Sequence, residues 1–289
     1  MIVRGNETVL VQGITGKQGT FWAERMREYG TKIIGGVNPK KAGTEHLGLP
    51  VWGSASNAAK DTQVDVSVLF IPPMGVKAAA LDAIASGIRK LVIMTEHVPV
   101  QDVMHVMAEA RETGTKIIGP NTAGIVTPGE CFVGFMPAFN TAVFKPGNIG
   151  VISRSGSLGT LLCLNVVQAG MGVSAFVGIG GDPIIGTTTT DALRSLDEDE
   201  KTVAIALVGE IGGSMEEDAA EYARDMSKPI AAFIAGAASP PGKKMGHAGA
   251  IVMGNKGSYE GKRAALEAAG VTVCATPSGV PAALKEKLS

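Results

Sequence analysis

The chain has 289 residues, of which 45% are hydrophobic and 18% charged, and its formal net charge is −1. That length suits two domains with sizeable cores, and the near-neutral charge gives no reason to expect nucleic acid or an anionic membrane as a partner. We expect a reduced, cytoplasmic protein, because the three cysteines lack metal-ligand spacing and the sequence has no signal-peptide pattern. It has no run of about 18 apolar residues, so we expect no membrane span.

The first predicted elements are a buried strand over residues 7–12, a glycine turn, and a helix over residues 17–29. The turn is GITGKQG (residues 13–19), spaced G-x-x-G-x-x-G. This spacing differs from the dinucleotide motif G-x-G-x-x-G and from the P-loop. A glycine turn at the start of a helix offers backbone N–H groups and the positive helix end to an anion. We therefore predict a phosphate-binding turn.

The second predicted strand, residues 32–37, ends in Asn38-Pro-Lys40-Lys41. An NAD site requires Asp or Glu at this position to bind the ribose hydroxyls. Two lysines instead favour a ligand with an extra phosphate on its ribose, and both coenzyme A (CoA) and NADP satisfy that condition. The alternative is that these lysines are simply solvated, as exposed lysines commonly are.

Strands and helices continue to alternate up to residue 118, which predicts an α/β domain with a parallel sheet and ligand groups at the carboxyl ends of its strands. Periodicity is poor over residues 123–146, where prolines and glycines are frequent. We expect this segment to be a linker or covering segment between domains spanning residues 1–122 and 147–289.

The second half begins with an apolar strand over residues 148–152, followed by SRSGS (residues 153–157) and an apolar helix. The hydroxyls of Ser155 and Ser157, with the backbone around Gly156 at the helix start, predict an anion site. An N-capped helix without a ligand fits the same residues.

Two further residues point to phosphoryl chemistry. Glu210 follows an apolar strand, and His247 lies in MGHAGA (residues 245–250), where small neighbours let other atoms approach the imidazole. A carboxylate can orient an imidazole through one ring nitrogen and leave the other free to attack. We predict that His247 transiently carries a phosphoryl group, the alternative being a histidine in a turn without chemistry.

Seven motifs together resemble one family over essentially the whole chain. They are GITGKQG (13–19), GPN (119–121), TPGE (127–130), SRSG (153–156), GIGGDP (178–183), GEIGG (209–213) and GHAGA (246–250). The set is similar to the α subunit of succinyl-CoA synthetase (succinate–CoA ligase, nucleoside-diphosphate-forming). The resemblance implies an N-terminal Rossmann-like CoA-binding domain and a C-terminal flavodoxin-like ligase domain, both with parallel sheets.

The resemblance also implies reversible formation of succinyl-CoA from succinate, CoA and ATP or GTP, through a phosphohistidine and an acyl phosphate. His247 would be the phosphohistidine, Glu210 its orienting carboxylate, and Ser155, Gly156 and Ser157 the helix start that faces the phosphoryl group. A β subunit would bind the nucleotide with Mg²⁺, in an αβ or α2β2 complex, and this chain would hold no metal. The implied CoA-binding residues are Thr15, Gly16, Lys17, Gln18, Lys41, Met94, Thr95 and Glu96.

This sequence departs from the family pattern at Thr160, where a substrate-side tyrosine is expected, and at Thr122, where cysteine is common. Loss of a phenol that hydrogen-bonds the substrate would change selectivity, so malate or a substituted succinate remains an alternative acid. Two other functions stay open at this point, an NADP-dependent oxidoreductase and a CoA-binding protein without catalysis.

Overall fold

The computed structural model describes residues 1–238 and 257–289, which form two α/β sheets with helices between the strands. The strands are β1 (Thr8–Gln12), β2 (Lys32–Val37), β3 (Glu45–His46), β4 (Leu49–Trp52), β5 (Val66–Leu69), β6 (Lys90–Ile93), β7 (Lys116–Ile118), β8 (Gly124–Thr127), β9 (Cys131–Gly134), β10 (Pro146–Ser153), β11 (Val173–Gly178), β12 (Ala204–Glu210), β13 (Ile230–Ala235) and β14 (Thr272–Cys274). The helices are α1 (Lys17–Tyr29), α2 (Ala55–Asp61), α3 (Val76–Ala85), α4 (Val100–Thr113), α5 (Gly156–Gln168), α6 (Thr189–Asp197), α7 (Met215–Ala223), α8 (Tyr259–Ala268) and α9 (Val280–Leu288).

The first sheet has the strand order β3-β4-β2-β1-β5-β6-β7. All neighbours from β4 to β7 are parallel, and only the short edge strand β3 is antiparallel. The parallel strands, numbered among themselves, follow the Rossmann order 3-2-1-4-5-6. The chain reverses direction across the sheet between β1 and β5, which leaves a crevice at the carboxyl ends of these two strands.

The second sheet has the strand order β14-β13-β12-β10-β11-β8-β9. Its five parallel strands follow the flavodoxin order 2-1-3-4-5, and the order reverses between β10 and β12. The predicted α/β class and its two domain types are therefore confirmed. Each sheet nevertheless carries antiparallel strands at one edge, which the expectation of parallel sheets did not include.

Residues 123–146 are more than the linker or covering segment expected from the sequence. Strands β8 and β9 lie within them and extend the second sheet, with β8 antiparallel to β11 and β9 antiparallel to β8. All eight residues of these two strands are buried, so they show no alternation of apolar and polar side chains. Strands of four residues buried on both faces are too short to give a periodic signal, which is why sequence periodicity missed them.

This edge of the second sheet also packs on the first domain. Phe132 of β9 lies edge-on to Trp22 and Tyr29 of α1, with ring centroids 6.4 and 5.5 Å apart. The buried Thr31 hydroxyl donates a hydrogen bond of 2.8 Å to the Phe132 carbonyl. Side chains of both domains thus share one core, which fixes the first domain against the second.

No helix within the described residues is long and apolar enough to cross a membrane.

Candidate functional site

A cavity of about 680 Å³ opens at the reversal point of the first sheet, beyond the carboxyl ends of β1 and β5. The glycine turn contributes Thr15 and Gly16 to its lining, and the chain after β2 contributes Asn38 and Lys41. The Asn38 amide donates to the Thr15 hydroxyl, which ties these two segments together. A phosphate-bearing ligand is expected at such a place, because open α/β sheets bind ligands where the strand order reverses.

The glycine turn depends on close backbone contacts. Gly13 has φ +82°, and a Cβ on it would lie 2.4 Å from the carbonyl oxygen of Phe70. A Cβ on Gly19 would lie 2.1 Å from the carbonyl oxygen of Gly13. Helix α1 begins after Gly16 with no side-chain cap and no acidic residue in its first turn. The positive end of the helix therefore faces the cavity, and no acidic side chain in its own first turn offsets it.

A second cavity, of about 670 Å³, lies between the two domains. Phe70 and Ile71 line both cavities, so the two spaces adjoin along these residues. The predicted CoA-binding residues divide between them: Thr15, Gly16 and Lys41 line the first, and Gln18, Met94, Thr95 and Glu96 line the second. Lys17 lines neither cavity and is the exposed first residue of α1. An elongated ligand could extend from the glycine turn into the space between the domains.

A buried ion pair lies at the reversal point of the second sheet. Arg154 directly follows β10 and is 4% exposed, and Glu210 ends β12 and is 7% exposed. Arg154 Nη1 lies 3.2 Å from Glu210 Oε1. Arg154 also lines the interdomain cavity. The sequence prediction included Glu210 but gave no role to Arg154, although an arginine directly after a buried strand is a signal for a paired charge, since arginine is rarely buried unpaired.

A chain of contacts leads from Arg154 to the first domain. Its Nε and Nη2 atoms lie 3.5 Å from the carbonyl oxygens of Gly180 and Asp182. Asp182 Oδ1 accepts a hydrogen bond of 2.9 Å from the Asn121 amide, and Asn121 N–H donates one of 2.9 Å to the Thr95 carbonyl. Arg154 therefore connects Glu210 to the edge of the first sheet that lines the interdomain cavity.

The start of α5 faces the same cavity through Gly156. Ser155 is the N-cap residue, and its hydroxyl accepts a long hydrogen bond of 3.4 Å from Leu158 N–H. The hydroxyls of Ser155 and Ser157 lie 3.2 Å apart. A Cβ on Gly156 would lie 2.9 Å from the Ala123 Cβ, so only glycine lets this helix start approach the wall of the cavity.

Thr160 lies one turn further along α5 and lines neither cavity. Its hydroxyl donates a hydrogen bond of 2.8 Å to the Gly156 carbonyl, which is the common local bond of threonine within a helix. Thr122, the other departure from the family pattern, is buried beside the cavity and donates to the Gly178 carbonyl. The structure therefore brings Thr122, but not Thr160, to the interdomain cavity.

His247 lies outside the described residues. Among the described residues, no group of three or more His, Cys, Asp or Glu side chains is arranged to hold a metal ion.

Two family models match the chain, one for a CoA binding domain over residues 5–97 and one for a CoA-ligase domain over residues 152–272. An ADP-forming succinate–CoA ligase α subunit of Archaeoglobus fulgidus is 47% identical over 288 residues, covering 100% of this chain and 99% of the relative. An ADP-forming sulfoacetate–CoA ligase subunit of Bilophila wadsworthia is 40% identical, covering 100% and 99%.

Among solved structures, ATP citrate lyase of Methanothrix soehngenii, in complex with citrate and CoA, is similar with a TM-score of 0.89 and 25% identity. The match covers 99% of this chain and 51% of that larger one. The full-length identity to α subunits, the two domain models and the two sheet orders agree with one another. This chain belongs to the succinate–CoA ligase α-subunit family, whose members are nucleotide-dependent acid–CoA ligases.

Proposed function

We propose that this chain is the α subunit of an acid–CoA ligase that forms succinyl-CoA reversibly from succinate, CoA and ATP or GTP. The observation that carries the proposal is the pair of adjoining cavities, which run from the glycine turn of the first domain to Arg154 and Gly156 of the second. A ligand with phosphates at one end and a reactive group at the other matches this arrangement.

CoA fits the residues that are present. Its phosphates match the glycine turn, where the uncapped end of α1 and the side chain of Lys41 supply positive charge. Its pantetheine arm would pass Phe70 and Ile71, which line both cavities. Its thiol would then reach the interdomain cavity beside Gly156.

The chemistry has three steps. A nitrogen of the His247 imidazole attacks the γ-phosphorus of the nucleotide, and the bond to the departing nucleoside diphosphate breaks. A carboxylate oxygen of the acid then takes the phosphoryl group from the imidazole. The CoA thiolate finally attacks the acyl carbon of the acyl phosphate and expels inorganic phosphate.

Described residues supply the support for the first two steps. Glu210 orients the imidazole so that its other nitrogen is free to attack, and Arg154 holds Glu210 at the end of β12. The N-terminal end of α5, with Ser155 and Ser157, stabilises the negative phosphoryl group through its dipole and hydroxyls.

The nucleotide with its Mg²⁺ is assigned to a β subunit, because the sequence contains neither a P-loop nor a kinase motif set. An αβ and an α2β2 complex both agree with this assignment. The curated α-subunit relatives are named as parts of succinate–CoA ligases, which supports the same partner class.

The acid is assigned as succinate because most of the similar relatives carry that name. Sulfoacetate is the second candidate, since a relative of 40% identity is named as a subunit of a sulfoacetate–CoA ligase. Both molecules are short dianions with at least one carboxylate that can accept a phosphoryl group, so the same α-subunit chemistry would serve either.

The test uses the chain co-expressed with its β partner. The complex is given ATP or GTP labelled at the γ-phosphate and is then chased with CoA plus succinate, malate or sulfoacetate. We expect label on His247 that is released by succinate with CoA, and no label in His247→Asn. Release by another acid alone would change the assigned substrate, and absence of label with both nucleotides would refute the ligase function.

CoA binding is tested separately with CoA, dephospho-CoA and NADP. We expect Lys41→Ala to weaken binding of CoA but not of dephospho-CoA, because only CoA carries the 3′-phosphate. Lys60→Ala, an exposed lysine in the last turn of α2 that lines neither cavity, is the matched control. Tight binding of NADP instead of CoA would contradict the proposed ligand.

A further inference from the structure

Behind Glu210 lies a group of charged side chains that the reaction does not use. Lys262 of α8 and Glu216 of α7 form an ion pair in which both side chains are fully buried. Lys262 Nζ also lies 3.0 Å from an oxygen of Glu217, whose side chain is 22% exposed. We call Glu216, Glu217 and Lys262 the α7–α8 charge cluster.

The cluster contacts the backbone of Glu210. Glu216 Oε1 accepts a hydrogen bond of 3.2 Å from Glu210 N–H. A Cβ on Gly209 would lie 2.8 Å from Glu216 Oε1, so glycine at that position lets the carboxylate approach the strand. Glu216 therefore fixes the last residue of β12 from one side, while Arg154 contacts its side chain from the other.

The cluster also holds the chain where it returns from the stretch of sequence that contains His247. Gly257 N–H donates a hydrogen bond of 3.0 Å to Glu217 Oε1, and the Gly257 carbonyl accepts one of 2.8 Å from Gly212 N–H. On the outgoing side, Ile211 N–H donates one of 3.1 Å to the Ala235 carbonyl. Strand β13 thus ends at Ala235 beside Ile211, and the chain is hydrogen-bonded again at Gly257 beside Gly212, so both points lie next to the two residues that follow Glu210.

A buried ion pair is a poor device for stability alone. The free energy needed to remove two charges from water is about as large as the free energy gained from their attraction, and apolar residues of similar size often stabilise a fold equally well or better. Charge is useful here because each carboxylate accepts a backbone N–H from a different segment while one ammonium group holds both carboxylates. The geometry defines the distance between Glu210 and Gly257.

We propose that the α7–α8 charge cluster positions groups for the phosphoryl-transfer step. It fixes Glu210 relative to Gly257, where the chain returns from the stretch of sequence that contains His247. Lys262, Glu216 and Glu217 touch neither substrate nor reacting atoms, and they act through the Glu210 and Gly257 backbones. The inference rests on the proposed function, because it assigns the cluster to histidine phosphorylation.

The test compares two double variants in the complex with the β subunit. Glu216→Gln/Lys262→Met removes both charges but keeps an acceptor oxygen for Glu210 N–H, whereas Glu216→Met/Lys262→Met removes the acceptor as well. Neither variant leaves a buried unpaired charge at positions 216 or 262, so both are expected to fold. Glu221→Gln, an exposed residue of the same helix α7, is the control.

The measurements are the rate of His247 phosphorylation at saturating nucleotide, the CoA dissociation constant and the melting temperature. For Glu216→Met/Lys262→Met we expect phosphorylation about 10- to 100-fold slower with unchanged CoA binding, since a displacement near 1 Å can cost about 100-fold in rate. For Glu216→Gln/Lys262→Met we expect a smaller loss of rate, about 3- to 10-fold, because this variant keeps the acceptor for Glu210 N–H but loses the ammonium group that holds both carboxylates.

Two results would overturn the proposal. One is a wild-type phosphorylation rate in Glu216→Met/Lys262→Met. The other is an equal loss of rate, melting temperature and CoA affinity in both double variants, which would mean a purely structural role. If neither double variant folds, Glu217→Met decides, because Glu217 is partly exposed and the change removes the acceptor of the Gly257 N–H. Slower phosphorylation at unchanged melting temperature then supports the proposal, and an unchanged rate overturns it. Absence of label in the wild-type complex would instead refute the proposed function itself.

Discussion

Replacement of Gly19 by alanine tests whether the glycine turn binds CoA through its backbone. A Cβ at this position would lie 2.1 Å from the Gly13 carbonyl oxygen, 2.8 Å from the Gly13 carbonyl carbon and 3.1 Å from the Ile14 Cα. All three atoms belong to the backbone, so no side chain can rotate away. The turn and the start of α1 must therefore separate by about 1 Å to restore ordinary contact distances in a close-packed interior.

Two effects on stability oppose each other in this variant. Overpacking typically costs about 1–3 kcal/mol, whereas alanine in a helix is favoured over glycine by about 0.5–1 kcal/mol. We expect a net loss of about 1–2 kcal/mol in the free energy of unfolding. We expect a larger effect on the affinity for CoA, because the loss of one hydrogen bond to a charged phosphate costs about 1.5–3 kcal/mol. This corresponds to a dissociation constant that is about 10- to 150-fold higher.

The assay is calorimetric titration of CoA into the complex with the β subunit, together with its melting temperature. Gly5→Ala is the matched glycine control, because Gly5 lines neither cavity. A Cβ on Gly5 would lie 3.4 Å from the Glu130 Cβ, which is an ordinary contact distance. We expect CoA affinity within about threefold of wild type for this control. If Gly19→Ala bound CoA as tightly as the control does, the turn would not hold the phosphates in the way we infer.

Arg154→Met should lower the free energy of unfolding by about 3–5 kcal/mol, because it removes a partner from the buried Glu210 carboxylate. In thermal unfolding, Arg154→Met/Glu210→Gln should recover much of that loss. Equal melting temperatures for Arg154→Met and wild type would contradict the pairing. Burial, with smaller effects of nearby carboxylates, raises the pKa of the Cys131 thiol from 9.0 to about 12. The folded chain therefore keeps this proton when the unfolded chain has lost it, so the free energy of unfolding should fall by up to about 4 kcal/mol as pH rises from about 9 to about 12. The fall should be smaller in Cys131→Ala, and an identical pH dependence in that variant would refute the raised pKa of Cys131. Thr160→Val should leave the CoA dissociation constant and the ratio of rates with different acids within about twofold, because among the described residues the Thr160 hydroxyl bonds the Gly156 carbonyl of its own helix and lies near Met136. A changed acid preference would show that Thr160 contacts the substrate.

Much of the fold follows from local pattern. The predicted first strand, glycine turn and helix agree closely with β1 and α1, and the alternation of strands with helices implied the two parallel sheets. Buried parallel strands are apolar runs bounded by turn residues, so they are visible without knowledge of their neighbours. Strands β8 and β9 were missed because four residues buried on both faces carry no period.

The candidate site was only partly visible in the sequence. Glu210 could be placed at a strand tip because its strand is apolar and ends in glycines. The role of Arg154 was not visible, because its partners Gly180, Asp182 and Glu210 are 26 to 56 residues away along the chain. The expected substrate-side position of Thr160 rested on the family pattern alone, and it lines neither cavity in the structure.

The sequence alone determined the α/β class and the position of the glycine turn, and it predicted the residues suited to phosphoryl transfer. These features depend on neighbouring residues, since turns, helix starts and apolar runs are set by local sterics and hydrogen bonding. The tertiary structure decided which distant residues meet: the adjoining cavities, the Arg154–Glu210 pair and the α7–α8 charge cluster. Such contacts arise only when strand order and packing bring remote segments together, and a local sequence pattern does not tell which remote segments become neighbours.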